Sequence, residues 1–162
     1  MFSNENFALI AALDLNPIKT KLIHVESGEA WPLERAEAVE IEYRRFLYLL
    51  KAFPKVEMAP LKDVDTFWHY HILDTMKYAR DCEQVFGYFQ HHHPNLGMEG
   101  ENGGEMLQQA GERMRELYQA TFNLPYAGAA DLPAAWCVGT GIVKAGDTQT
   151  AWCVGTGIVK AA

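Results

Sequence analysis

The chain is short of positive charge: 14 Lys and Arg stand against 21 Asp and Glu among 162 residues, a formal charge of −7. A nucleic-acid surface needs a net basic footprint, so this balance argues against nucleic acid as a partner. An anionic membrane surface is disfavoured for the same reason. Long apolar runs are missing too, and no stretch approaches the roughly 20 apolar residues that span a bilayer. The N-terminal MFSNENFALIAALDL has no Lys or Arg ahead of its short apolar stretch, unlike a secretory signal. The expectation is a cytoplasmic protein with neither nucleic acid nor membrane among its partners. Cysteine is scarce as well. Cys82, Cys137 and Cys153 form an odd set without framework spacing, which argues against a disulfide scaffold and suits a reducing compartment.

Apolar residues are plentiful, at 49% against 22% charged, so a core can form and wholesale disorder is excluded. The length fits one domain and an appendage. Phe7, Ile10 and Ala11 recur at helical spacing, with Leu9 and Leu13 beside them, and predict a first helix over residues 2–15. Asn16-Pro17 reads as a stop and restart into a shorter helix over 18–25, broken at Ser27-Gly28. After Trp31-Pro32 the strongest period of the chain runs through Leu33, Ala36, Val39, Tyr43, Phe46 and Leu50, with Glu and Arg between, and stops before Pro54. Helices follow over 64–73 and 76–86. Asp74-Thr75 caps the second of these, Gly87 ends it, and Thr75, Tyr78, Ala79, Cys82, Val85 and Phe86 form one stripe on it. A glycine-bearing loop then leads to a helix over 105–122, expected to bury Met106, Leu107, Ala110, Met114, Leu117 and Tyr118. Strand patterns are hard to place, so the fold class is all-α, a compact bundle of about five helices.

Five of the six histidines lie between His69 and His93: Trp68-His69-Tyr70-His71, then His91-His92-His93-Pro94. Asp65 and His69 are one helical turn apart on one face, and His71 and Asp74 share the next. If the following helix folds back antiparallel, the His91 to His93 end returns to the start of the first. Imidazoles from two segments with a carboxylate suit copper, iron or zinc. The candidate ligands are His69, His71, His91, His92, His93 and Asp65; Asp65 or Asp74 is either a direct ligand or the acceptor of a ligand's other ring N–H. A second reading stays open beside this one. Half-buried histidines are commonly hydrogen-bonded core residues, a His triplet before Pro suits an exposed helix end, and the spacing matches no strict metalloenzyme signature. Cys82, between Tyr78 and Phe86, reads first as a small buried hydrophobe and otherwise as a further ligand.

Val64-Asp65, Trp68-His69 and His71 together resemble the V-D-x-x-W-H-x-H signature of the glycine-rich-domain-containing-protein-like family of plants and bacteria. Tyr78, Asp81-Cys82, Phe86-Gly87 and His92 resemble the continuation in bacterial members. The resemblance covers about residues 30–122 and implies a helical domain with a site around Asp65, His69 and His71, without naming a reaction. The glycine-rich region that names the plant proteins is absent.

The end of the chain is a different material. From Tyr126 onward Asp131, Asp147, Lys144 and Lys160 cancel, so the whole net charge sits on the first 125 residues. Residues 130–145 and 146–161 match at 12 of 16 positions and share the unbroken stretch AWCVGTGIVKA; all four differences precede the Trp. Trp-Cys-Val, Gly-Thr-Gly, Ile-Val-Lys reads as strand, turn, strand, so short hairpins are one expectation. A second is a functionless duplication. The third starts from chemistry: each copy offers a thiol, an indole and a hydroxyl flanked by glycines. Identical copies after a folded domain resemble core segments of ribosomally made, post-translationally modified peptides. Cys137 and Cys153 are then the modified residues, with Trp136 and Trp152 as possible partners.

The sequence divides into a His-rich helical domain (1–123), a linker (124–134) and a duplicated, mostly irregular tail (135–162). The functional expectation is a modified-peptide precursor whose folded leader binds a transition metal. The partner is then a modifying enzyme, or the leader itself acting on its own C-terminal tail. The alternative is a metal-dependent enzyme or metal-binding module acting on an outside ligand, with a structural tail.

Overall fold

The structure, a computed structural model, describes residues 4–98 and 102–127, with side chains from Phe7 onward. The duplicated tail, and with it the expected hairpins and Trp136, Cys137, Trp152 and Cys153, lies outside the described residues. The fold is all-α. Six helices lie among the described residues, against the roughly five expected: α1 Asn4–Ala11, α2 Asn16–Ile23, α3 Leu33–Ala52, α4 Lys62–Leu73, α5 Thr75–Phe86 and α6 Gly103–Phe122. No helix among the described residues is long and apolar enough to cross a membrane.

Helix α3 is the axis of the bundle, packed by α1, α2, α4 and α6. Its period predicted one buried stripe, yet Ala38, Tyr48 and Leu49 are buried as well, with even Glu42 and Arg45, while Leu33 is half exposed. Neighbours on several sides turn an amphipathic sequence into a central helix. The two buried charges pair with each other and a third group, although Arg45 Nε has no partner among the described residues. Arg45 Nη1 donates to Glu42 Oε1 at 2.5 Å and to the Tyr118 hydroxyl at 2.8 Å, and that hydroxyl donates to Glu42 Oε2 at 2.8 Å. Burial raises the Glu42 carboxyl above its ordinary range, with Arg45 and the Tyr118 hydrogen bond opposing the shift.

Helices α1 and α2 are joined by a turn in which Leu13 and Leu15 enter the core. Pro17 sits in the first turn of α2, and Asp14 rather than Asn16 supplies the side-chain acceptor, taking the Asn16 N–H at 3.1 Å. The carbonyls left free where α1 ends are taken by Arg44, which donates to Ile10 and Leu13 and is held by Glu40 at 2.6 Å. Gly28 closes the turn into α3, where a Cβ would run into the Lys21 and His24 carbonyl oxygens.

Helix α5 starts on an Asp74 cap to the Lys77 N–H and ends at Gly87, whose φ of 77° is the left-handed conformation that a helix terminus favours. Tyr78, Cys82 and Val85 are buried from it, and Phe86 is partly buried against the same core; Thr75 and Ala79 stay exposed. Helix α6 enters the core one turn later than its period suggests. Met106 and Leu107 remain nearly half exposed, whereas Ala110, Met114, Tyr118 and Phe122 are buried. Its middle is tied to the loop before α4: the Ala59 N–H donates to the Ala110 carbonyl, and Arg113 to that of Glu57. Beyond Phe122 the chain stays on the bundle. Leu124 and Tyr126 pack against the core, and the Leu61 N–H donates to the Tyr126 hydroxyl at 3.1 Å.

Candidate metal centre

Helix α4 divides the expected cluster between its two sides. Successive residues advance about 100° around a helix, so Asp65 and His69 nearly eclipse, while His71 lies roughly 200° from His69. Val64, Phe67, Trp68 and His71 face the core, and Asp65 and His69 face outward.

His71 is 1% exposed and fully committed. Its Nε2 lies 3.0 Å from Asp81 Oδ2, an oxygen also held by Lys77 at 2.7 Å. An ionised carboxylate only accepts, so Nε2 carries the proton and Nδ1 accepts the Tyr43 O–H at 2.9 Å. Burial lowers the imidazole pKa to about 4, outweighing the upward pull of the Asp81 carboxylate. The residue is thus a neutral core histidine with both ring nitrogens occupied. Tyr43 and Asp81, which hold it, carry little local signal in the sequence beyond the Lys77/Asp81 pair at i,i+4 and the place of Asp81 in the family resemblance.

The outward side meets the returning chain. The Trp68 indole N–H donates to the Tyr78 hydroxyl at 2.9 Å, and that hydroxyl donates to the Gln90 carbonyl at 2.6 Å. This relay from α4 through α5 pins the segment after Gly87, so that His92, two residues beyond Gln90, arrives over α4. The His92 ring packs 4.3 Å from Trp68 and 4.5 Å from His69 between centroids. Trp68 in turn meets Phe46 edge-on in the core. Antiparallel return was expected, and it is achieved by a non-helical segment rather than by a helix end.

Asp65, His69 and His92 each present one ligand atom, all within 4.8 Å of one another. His92 Nε2 is 2.9 Å from Asp65 Oδ1, and His69 Nδ1 is 3.4 Å from Asp65 Oδ2. Since the carboxylate can only accept, His92 donates to it from Nε2. Its Nδ1 is buried and without a hydrogen-bond partner among the described residues. A ring nitrogen held by a carboxylate with the other left as donor is the usual state of a metal-binding histidine. Asp65, His69 and His92 together offer nitrogen and oxygen donors that fit a transition metal, with Asp65 either a direct ligand or the acceptor of the His92 N–H.

The three groups lie on a groove of about 630 Å³ that His91 and His93 also line, together with Leu50, Met58 and Leu107. His91 stacks against Phe89 at 4.9 Å, and both His91 and His93 are exposed. Of the six candidate ligands the structure brings three together, Asp65, His69 and His92. It places two more beside them on the groove and turns His71 away. Asp74 is occupied as the α5 cap. Cys82 is 2% exposed in the core, with its thiol pushed up by burial, and lies outside the group.

A helical domain carrying a histidine–carboxylate group that could hold a metal ion is what fold and geometry define. A family model described as UCP032817-like matches residues 7–120, so the chain belongs to the UCP032817-like family. No curated protein and no solved structure matches it.

Proposed function

We propose that the helical domain binds a transition metal (copper, iron or zinc) through Asp65, His69 and His92. In this reading it serves as the folded leader of a peptide precursor whose duplicated AWCVGTGIVKA is modified at Cys137 and Cys153. The observation that carries the metal is the gathering of one donor atom each from Asp65, His69 and His92 within 4.8 Å, in a group where His92 Nδ1 is buried and unpartnered. An isolated buried acceptor costs about 1–3 kcal/mol, and a bound cation removes that cost. The observation that supports the precursor is internal to the sequence: eleven consecutive residues are identical in the two copies, while every difference precedes the Trp. Two copies that merely packed would meet different surroundings and drift, because volume-conserving apolar swaps usually cost under about 1.5 kcal/mol.

Metal analysis of protein from its native host, with mass spectrometry of its tryptic fragments, tests both halves. Trypsin cuts after Lys144 and Lys160 and separates the copies. We expect one metal per chain and the same mass change on both fragments, lost with Cys137→Ser and Cys153→Ser respectively. Unmodified thiols on both fragments, in cells expressing the neighbouring genes, refute the precursor. The groove favours a second reading, a metal-dependent enzyme or binding module for an outside small molecule. At about 630 Å³ it falls within the range of small-molecule sites. Metal without any mass change selects it.

A further inference from the structure

We propose that the groove beside Asp65, His69 and His92 takes a small carboxylate with an apolar body, one carboxylate oxygen bound to the metal and the other held by Lys62. The inference rests on the metal reading above and on its outside-ligand alternative, and it names the chemical class of that ligand.

Asp65, His69 and His92 supply at most three donor atoms, and no further His, Cys, Asp or Glu among the described residues joins the group. A tetrahedral ion such as zinc takes four, so at least one position is left for a ligand from outside. All three residues line the groove. Lys62 lines it too and brings a positive charge to the same wall. It precedes Asp65 by one turn of α4 and His69 by two; seven residues turn a helix by about 700°, so Lys62 and His69 leave α4 within about 20° of each other. No carboxylate pairs with Lys62 among the described residues. The other charged residues of the groove are Lys55, Glu57 and Asp65, so its charges cancel until a divalent ion arrives and leaves it positive. An anion then complements it.

A carboxylate suits this pair of cations better than a single-atom donor. Its two oxygens sit on one planar group, so one can ligate the metal while the other accepts a charge-assisted hydrogen bond from the Lys62 ammonium. The rest of the groove asks for an apolar body. Leu50, Val56, Met58, Leu96 and Leu107 line it. Leu107 fits the core period of α6 and yet stays 44% exposed, with the groove as its surroundings. That wall is fixed in place. Gly97, at a φ of 95°, lets the loop after the histidines approach α6 so closely that a Cβ there would lie 2.8 Å from the Leu107 Cβ. Apolar walls with a few convergent polar groups, in about 630 Å³, match a site for a small organic molecule, whereas a bare phosphate would use the charges and none of the walls.

Phenylbutyrate is the probe, titrated calorimetrically into the zinc-loaded full chain. Its neutral amide and acetate separate the charge from the apolar body. We expect one phenylbutyrate per zinc-loaded chain, and binding of the amide and of acetate weaker by about tenfold or more. Lys62→Gln, at an exposed position, should weaken phenylbutyrate about two- to fivefold while the chain still holds one zinc. Leu107→Ala should weaken it about fourfold. A zinc-loaded chain that binds no phenylbutyrate, or binds the amide or acetate as tightly, overturns the inference and leaves the metal reading standing. Binding that is unchanged by Lys62→Gln, or as strong without zinc, overturns it too. A full chain that takes up no zinc overturns both.

Discussion

Lowering the pH should expose the cost of keeping His71 neutral. In the fold its pKa is depressed to about 4 by burial, against 6.5 as the ordinary value. Between those two values the unfolded chain binds a proton that the folded chain refuses. Stability therefore rises with pH across the window and falls as the pH drops from about 6.5 towards 4. The contribution is fully present above 6.5. Linkage makes the loss about 2 kcal/mol at pH 5 and about 3 kcal/mol at pH 4, relative to pH 7.5. For a domain whose total stability is about 5–15 kcal/mol, that is a large fraction. Urea unfolding followed by circular dichroism at pH 7.5, 6, 5 and 4.5, with a chelator present, measures it. The informative variant is His71→Gln, whose amide can donate to Asp81 and accept from Tyr43 but does not titrate. It should be somewhat less stable at pH 7.5 and should show a fall between pH 7.5 and 5 smaller by about 2 kcal/mol. An equal fall in parent and variant would refute the account of a buried neutral imidazole.

Other outcomes follow from the same packing. His69→Ala with His92→Ala should abolish stoichiometric metal after dialysis, whereas His71→Gln should retain it; metal content by elemental analysis decides. Tyr118→Phe removes the donor to Glu42 Oε2 and an acceptor for Arg45 in a buried group of three. It should cost about 2 kcal/mol in urea unfolding, because both charged partners are left underpaired. Gly28→Ala drives a methyl into two carbonyl oxygens at the turn before α3. It should destabilise by about 1–3 kcal/mol, and a neutral result would mean the turn relaxes at no cost. A chain ending at Asn123 should be helical but less stable than one ending at Ala127. The difference of about 2–3 kcal/mol reflects loss of Leu124, Tyr126 and the Leu61 hydrogen bond.

Helix existence was local information. The 3.6-residue periods of residues 33–50 and 105–122, the Asn16-Pro17 restart, the Asp74 start and the Gly87 stop each act within a turn or two, and each is where the sequence places it. The opposed faces of His69 and His71 were local as well, since two residues always turn a helix by about 200°; the adjacency of the two letters hid it. The repeated Cys/Trp unit is legible in sequence alone. Other features depended on contacts between segments far apart in the chain. Glu42 and Arg45 fall between the apolar positions of the α3 period, and it is Tyr118 of α6 that closes over them. Met106 and Leu107 match the core period, yet both stay nearly half exposed near the start of α6. Above all, residue type and spacing do not distinguish His92 from His91 or His93, and only the family resemblance named it. The Trp68–Tyr78–Gln90 relay selects it by fixing where the returning chain crosses α4, and only tertiary packing sets that register.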